Sequence, residues 1–356
     1  MKNQILFRYL FRKAIFTVLL VFGSLGGLLL ILGIADETGR RVSGNYTAID
    51  ALQYKILTLP YELYEFTPLL IVLSALITFA TLNKNSELVI IKQMTSNGLL
   101  LILKLFLPII VIAAPLFWMG EWLAPTWSNN ATATRALLRG RELPAQEQQW
   151  IKSGNWFIST AFVDQSDGSL VSPTLYRFDN NGLFSITEAQ LAQAKADHWV
   201  LPDATEKDMQ ADSERHIVDH ALLSFSTPTL TPDIAQQLAT NSSTLTLSQL
   251  SQRVFYAKKE DSLRSSEALE WWQRVLFPIE ILLMLNLALI FSLTSFRQKT
   301  IGDVVFKGLA TALALSTLLD VSSGVLAISG LPVLAAAILP LLTITALSQY
   351  YSFKRL

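Results

Sequence analysis

The chain has 356 residues, 51% of them hydrophobic and only 16% charged, a balance that excludes an all-soluble protein and points to membrane-spanning helices. Lys plus Arg and Asp plus Glu number 28 each, so the net charge is zero and no basic field exists to hold DNA or RNA. With no cysteine in the chain, disulfide scaffolds, thiolate metal sites and thiol nucleophiles are excluded.

A helical crossing needs about 20 apolar residues, because every backbone amide in lipid has to be satisfied within its own helix. Residues 14–35 form the first uncharged run. Gly33, Ile34 and Ala35 faintly resemble a small-x-small cleavage site. The run exceeds the roughly 7–15 residues of a signal-peptide core, which favours an uncleaved span. Lys2, Arg8, Arg12 and Lys13 precede it without an acid, whereas residues 36–65 are mixed and acid-rich. The positive-inside rule therefore puts the N-terminus in the cytoplasm.

Residues 66–83 are the second span, and residues 99–120, interrupted only by Lys104, are the third. Between them the loop 84–98 lies inside and reads as a short helix. Asn85 or Ser86 can cap it, Glu87 suits the positive end of its dipole, and Asn97 and Gly98 end it. Its apolar residues, Leu88 to Ile91 with Met94, have to cover something. An interfacial helix lying on lipid is one reading. The other is a coupling helix docked in a groove of an ATPase subunit, with Glu87 pairing a basic residue there.

Residues 121–270 are polar and free of long apolar runs, and they form one external domain. Strand signals lie at 155–163, 174–178 and 183–187, the last two flanking the turn residues Asn180, Asn181 and Gly182. Further short strands are expected at 199–201, 217–225 and 244–247, in an all-β sandwich or jelly roll. Residues 190–197 fit strand and helix equally. Residues 121–141 read as a polar extension of the third helix, and 248–270 as a helical stalk leading back. His216 and His220 fall in a strand segment, where their spacing places them on one face but too far apart for one metal ion.

Three more spans follow: 275–296 with Glu280, 308–329 with Asp320, and the uncharged run 331–353. The expected fold is thus membrane α-helical, with six transmembrane helices and an inserted all-β domain: residues 1–120 hold helices one to three, 121–270 the insert, 271–356 helices four to six. Alternation leaves 84–98, 297–303, Lys354 and Arg355 in the cytoplasm and the insert outside. Gly23 and Gly27, and Gly308, Ala312 and Ser316, are small-x-x-x-small rows. They pack helices within one bundle, or they form an openable seam against a partner chain. Glu280 and Asp320 are expensive in lipid and point to a bundle interior, with Asp320 the better placed for buried hydrogen bonding.

No glycine is followed by lysine, so the phosphate-cradling P-loop cannot occur. Neither G-x-S-x-G nor H-E-x-x-H is present. The chain is not expected to be an enzyme.

Ser86, Glu87, Leu88 and Val89 in the cytoplasmic loop, Gly120 to Pro125 leaving span three, Trp272 and Pro278 entering span four, Gly330, Leu331 and Pro332 with Pro340 at span six, and the basic C-terminus together resemble the LptF/LptG family of lipopolysaccharide export permeases, its LptG branch more than its LptF branch. The resemblance covers nearly the whole chain. It implies half of a heterodimeric ABC exporter in the inner membrane, with an LptF-like permease chain, an LptB-like ATPase dimer and LptC-like and LptA-like periplasmic bridge proteins. The insert would be a periplasmic β-jelly roll that receives lipopolysaccharide. No cofactor is implied in this chain; ATP and Mg would be bound by the partner ATPase.

By the same resemblance, Glu87, with Ser86, Leu88 and Ile91 beside it, would contact the ATPase. Arg40, Arg41 and Arg135 would hold the substrate head group. A lysine near the end of span one in familiar LptG proteins aligns here with Gly33, a departure from the family pattern. Two other readings remain at this stage: an ion-coupled secondary transporter, which would show an inverted repeat, and a non-transporting envelope scaffold.

Overall fold

A computed structural model describes residues 2–39, 46–93, 98–139, 149–164, 167–179, 182–195, 198–209, 217–227, 229–292 and 300–353. They divide into a helical unit, Met1–Thr132 with Trp272–Leu356, and an inserted unit, Ala133–Trp271.

The helical unit begins with α1 (Lys2–Gly39). Its 38 residues reach roughly 57 Å at 1.5 Å per residue, well beyond a hydrocarbon core of about 30 Å. The acid-rich segment expected only to lie outside contains a helix of its own, α2 (Ala48–Glu65). Thr47 and Asp50 start α2 with a capping box, the Asp50 carboxylate accepting from the Thr47 amide at 2.8 Å. A Cβ built on Gly26 would lie 3.5 Å from Leu63 of α2, and one on Gly33 would overlap Lys55 of α2. Those two positions are two helical turns apart and form the strip of α1 that α2 covers.

Only Phe66 separates α2 from α3 (Thr67–Lys84), with Pro68 at its start. α3 is the central helix of the bundle: Ile71, Val72, Ala75, Leu76, Phe79 and Leu82 are all buried. Then come α4 (Glu87–Gln93), α5 (Gly98–Trp122) and α6 (Ala124–Leu138). α6 continues α5 past a single break at Leu123, as the polar-extension reading expects.

The inserted unit is an antiparallel sheet with strands β1 (Gln149–Ser153), β2 (Trp156–Thr160), β3 (Phe162–Val163), β4 (Leu170–Val171), β5 (Thr174–Asp179), β6 (Gly182–Glu188), β7 (Leu191–Lys195), β8 (His198–Asp208) and β9 (Ile217–Phe225). Their order is β1-β2-β5-β6-β8-β7-β4-β3, with β9 also on β8. The two-residue turn from β1 to β2 opens on Gly154 at φ +57°, the left-handed conformation such a turn needs. Residues 190–197, ambiguous in the sequence, supply β7. Asn180 and Asn181 of the expected hairpin turn lie outside the described residues, and β5 and β6 pair across them.

Two helices, α7 (Pro232–Ala239) and α8 (Leu247–Lys259), close the core of this unit; α8 lies in the expected helical stalk, whereas α7 was not expected. Ile151, Ile158, Leu175 and Leu201 of the sheet pack with Ala235 of α7 and Tyr256 of α8. Trp199 Nε1 donates to the Leu230 carbonyl at 3.0 Å, and Tyr256 Oη donates to the Lys152 carbonyl at 2.8 Å. Residues 244–247 are not a strand. A 3-10 turn, Ser242–Thr244, leads into α8, whose cap Thr246 forms a reciprocal box with Gln249.

The chain returns through α9 (Ser265–Ser292), α10 (Ile301–Ile328) and α11 (Val333–Phe353). Among the described residues five stretches are long and apolar enough to cross a membrane: Ile5–Gly39, Thr67–Lys84, Ile102–Arg135, Ser265–Ser292 and Ile301–Ile328. The sixth expected span is α11, whose apolar described part, Val333–Ala346, is shorter. Their shared core joins Ile71 and Phe79 of α3 with Ile109 of α5, Met284 and Leu285 of α9 and Ala312 of α10.

Candidate functional site

Glu87 opens α4, and its carboxylate is met from α1. Tyr9 Oη donates to Oε2 at 2.7 Å. Lys13 Nζ donates to Oε2 at 3.0 Å and to Oε1 at 3.2 Å, and Asn85 Nδ2 donates to Oε1 at 3.2 Å. Burial pushes the carboxyl's pKa up, but the hydrogen bonds from Tyr9, Lys13 and Asn85, with the Lys13 charge, outweigh it and hold the group below its usual range.

The neighbours expected to share a docking surface with Glu87 divide. Ser86 precedes α4 in the left-handed region, at φ +61°. Leu88 and Ile91 are turned inward, 4% and 3% exposed, in one core with Leu10 and Ala14 of α1 and Leu105 of α5. The apolar side chains that α4 offers outward are instead Val89 and Ile90, 50% and 55% exposed. Four apolar residues in a row carry no periodicity, so the sequence could not sort them into inner and outer faces.

The two small-residue rows also part company. A Cβ built on Gly308 would lie 2.6 Å from Leu76 Cδ2, and Ala312 is fully buried, so this row packs α10 on α3 inside the bundle. Ser316, half-buried, donates to the Leu313 carbonyl of its own helix at 3.3 Å. Gly23 and Gly27 of α1 have nothing within 4 Å of an added Cβ. Of the residues expected at the substrate head group, Arg40 and Arg41 lie outside the described residues, and Arg135 is half-buried in the last turn of α6. Asp320, expected in buried hydrogen bonds, is exposed on α10, and Glu280 is partly buried on α9. His220 lies 3.3 Å from Glu206 and His216 is outside the described residues. Among those residues no cluster could hold a metal.

One constellation escaped the sequence reading. Tyr64 at the end of α2 donates its hydroxyl to Glu121 of α5, a side chain with no exposure at all, whose second oxygen lies 3.8 Å from Arg274 Nη1 of α9. The Tyr64 ring lies 5.5 Å from that of Phe277, which stacks on Phe117 at 5.3 Å. A Cβ on Gly120 would overlap the Tyr64 ring. The signal was the Gly120-Glu121 pair itself, noted as a motif without its partners.

Helices of crossing length, interrupted by an antiparallel β unit and carrying one short helix with two outward apolar side chains, define a multi-pass membrane protein with an inserted domain. Comparison with known proteins narrows the class. Residues 8–354 match the family described as lipopolysaccharide export system permease LptF/LptG. The chain is 26% identical over 345 residues to the lipopolysaccharide export system permease protein LptG of Escherichia coli (strain K12), covering 94% of each. It is 25% identical over 357 residues to the protein of the same name from Haemophilus influenzae, covering 98% of each. The chain belongs to the LptF/LptG family of lipopolysaccharide export permeases.

Proposed function

We propose that this chain is the transmembrane permease subunit of an ABC exporter that extracts lipopolysaccharide from the inner membrane and passes it to a periplasmic bridge for export to the outer membrane. Both termini lie in the cytoplasm and the β unit in the periplasm. An LptF-like chain completes the permease, an LptB-like ATPase dimer binds ATP and Mg and docks at α4, and LptC-like and LptA-like proteins receive the cargo. Arg40, Arg41 and Arg135 engage its head group.

Physical chemistry requires a motor for this task. Each CH₂ leaving the bilayer costs about 0.8 kcal/mol, so a lipid with several acyl chains does not leave unaided, and this chain has no P-loop. The observation that carries the reading is the outward pair Val89 and Ile90 beside Glu87, on a helix whose other apolar residues are seated in the chain's own core. Exposed apolar pairs of this kind serve as anchors for a partner surface. Replacing both (Val89→Asp with Ile90→Asp) is expected to abolish co-purification of the ATPase while leaving the thermal unfolding of the permease unchanged. Full retention of the ATPase by that variant would overturn the reading.

A further inference from the structure

Glu87 is held firmly within its own chain. A carboxylate has about four lone-pair sites, and Tyr9, Lys13 (twice) and Asn85 supply four hydrogen bonds to it. Two of these partners come from α1, one turn apart, and are tied to each other: Lys13 Nζ donates to Tyr9 Oη at 3.1 Å and lies 5.4 Å from the centre of its ring. Beneath this polar clasp Leu10 and Ala14 of α1 share a core with Leu88 and Ile91 of α4. α4 is therefore fastened to α1 twice, by packing and by a charge-assisted fork.

α4 also packs on the helices before and after it, α3 and α5. α3 is buried over 61% of its spanning window, whereas α1 is buried over only 22% of its own, with Gly23 and Gly27 facing open space. α1 therefore leaves more of its length uncovered by the chain's own helices than α3 does.

We propose that Lys13, oriented by Tyr9, is the positioning residue through which α4 moves α1, so that the stroke of a nucleotide-hydrolysing subunit docked at α4 enters the membrane along the first helix. The inference rests on the function proposed above and adds the transmission element to it. Lys13 acts by keeping Glu87 and α1 one mechanical body.

The test uses the full transporter in proteoliposomes, reading ATPase co-purification, ATP hydrolysis and lipopolysaccharide released per ATP. Lys13→Met is expected to keep co-purification and hydrolysis near the unaltered level and to lower lipopolysaccharide released per ATP by roughly tenfold, the scale of one charge-assisted hydrogen bond. Lys13→Arg, which preserves the fork, is expected to restore most of the yield. A spin-label pair at Phe16 and Gln93, both exposed, gives a second readout: one narrow distance with Lys13 present and a broad one with Lys13→Met. An unchanged yield per ATP, or loss of ATPase binding in step with loss of transport, overturns this inference while leaving the function standing. An unaltered chain that retains no ATPase overturns the function, and the inference with it.

Discussion

Gly120 carries no side chain because the Tyr64 ring lies where one would be. Adding a methyl there forces an aromatic ring that packs against Phe117 and Phe277 to move. Gly120→Ala is expected to destabilise the helical unit by about 1–3 kcal/mol, read as a lower unfolding temperature in detergent. Tyr64→Phe keeps the ring but leaves the buried Glu121 Oε1 without its donor, and a similar loss is expected. If both variants melt with the parent, the cluster does not secure the bundle. In the inserted unit, burial raises the Tyr256 hydroxyl to about 12, against a lowering by the Ser153 hydrogen bond and with a further rise from Glu260. A phenol whose folded pKa is raised contributes stability that is complete below its ordinary value near 10 and is lost as pH climbs through about 12. Alkaline unfolding is therefore expected to set in between those values, and Tyr256→Phe to blunt it. None of these contacts was readable in advance: Tyr64 and Glu121 are 57 residues apart, Lys13 and Glu87 74 apart, and no periodic signal links positions so distant.

Among the elements, the long apolar runs foretold α1, α3, α5, α9, α10 and α11, because a lipid-crossing helix has to satisfy its backbone within an apolar stretch. α2 was not foretold. Asp50, Lys55, Glu62 and Glu65 break up its hydropathy, and its exposed stripe, Ile49, Leu52 and Ile56, shows only as 3- and 4-residue spacing. The start of α8 was written in Thr246 and Gln249, a capping-box pair, which the β-branched threonines of the same segment obscured. The small-residue rows looked alike in sequence and differ in surroundings. Gly308→Leu is expected to unseat α10 from Leu76 and lower the stability of the chain by about 1–3 kcal/mol. Gly23→Leu meets open space; it is expected to leave that stability unchanged and to weaken co-purification of a second permease chain. Equal effects of the two substitutions on thermal unfolding would show that the rows are not distinguished as the packing requires.

For the whole molecule, composition was the most informative feature: 51% hydrophobic residues with 16% charged foretold a membrane protein, and one long polar stretch between apolar runs foretold the insert. The architecture of that insert was legible as antiparallel strands because its turn residues punctuate them, and α8 as part of the helical stalk, while α7, only eight residues long, was not. The candidate site was legible only at Glu87. Which side chains surround it follows from folding α4 back against α1, a tertiary event. The proposed function is that of a conduit moved by an engine bound at α4. The most direct measurement is transfer of lipopolysaccharide from proteoliposomes to a soluble acceptor, with the purified complex, with the Val89→Asp, Ile90→Asp variant, and with the permease chains alone. Transfer is predicted only for the intact complex and only with hydrolysable ATP; equal transfer by permease chains lacking the ATPase would contradict it.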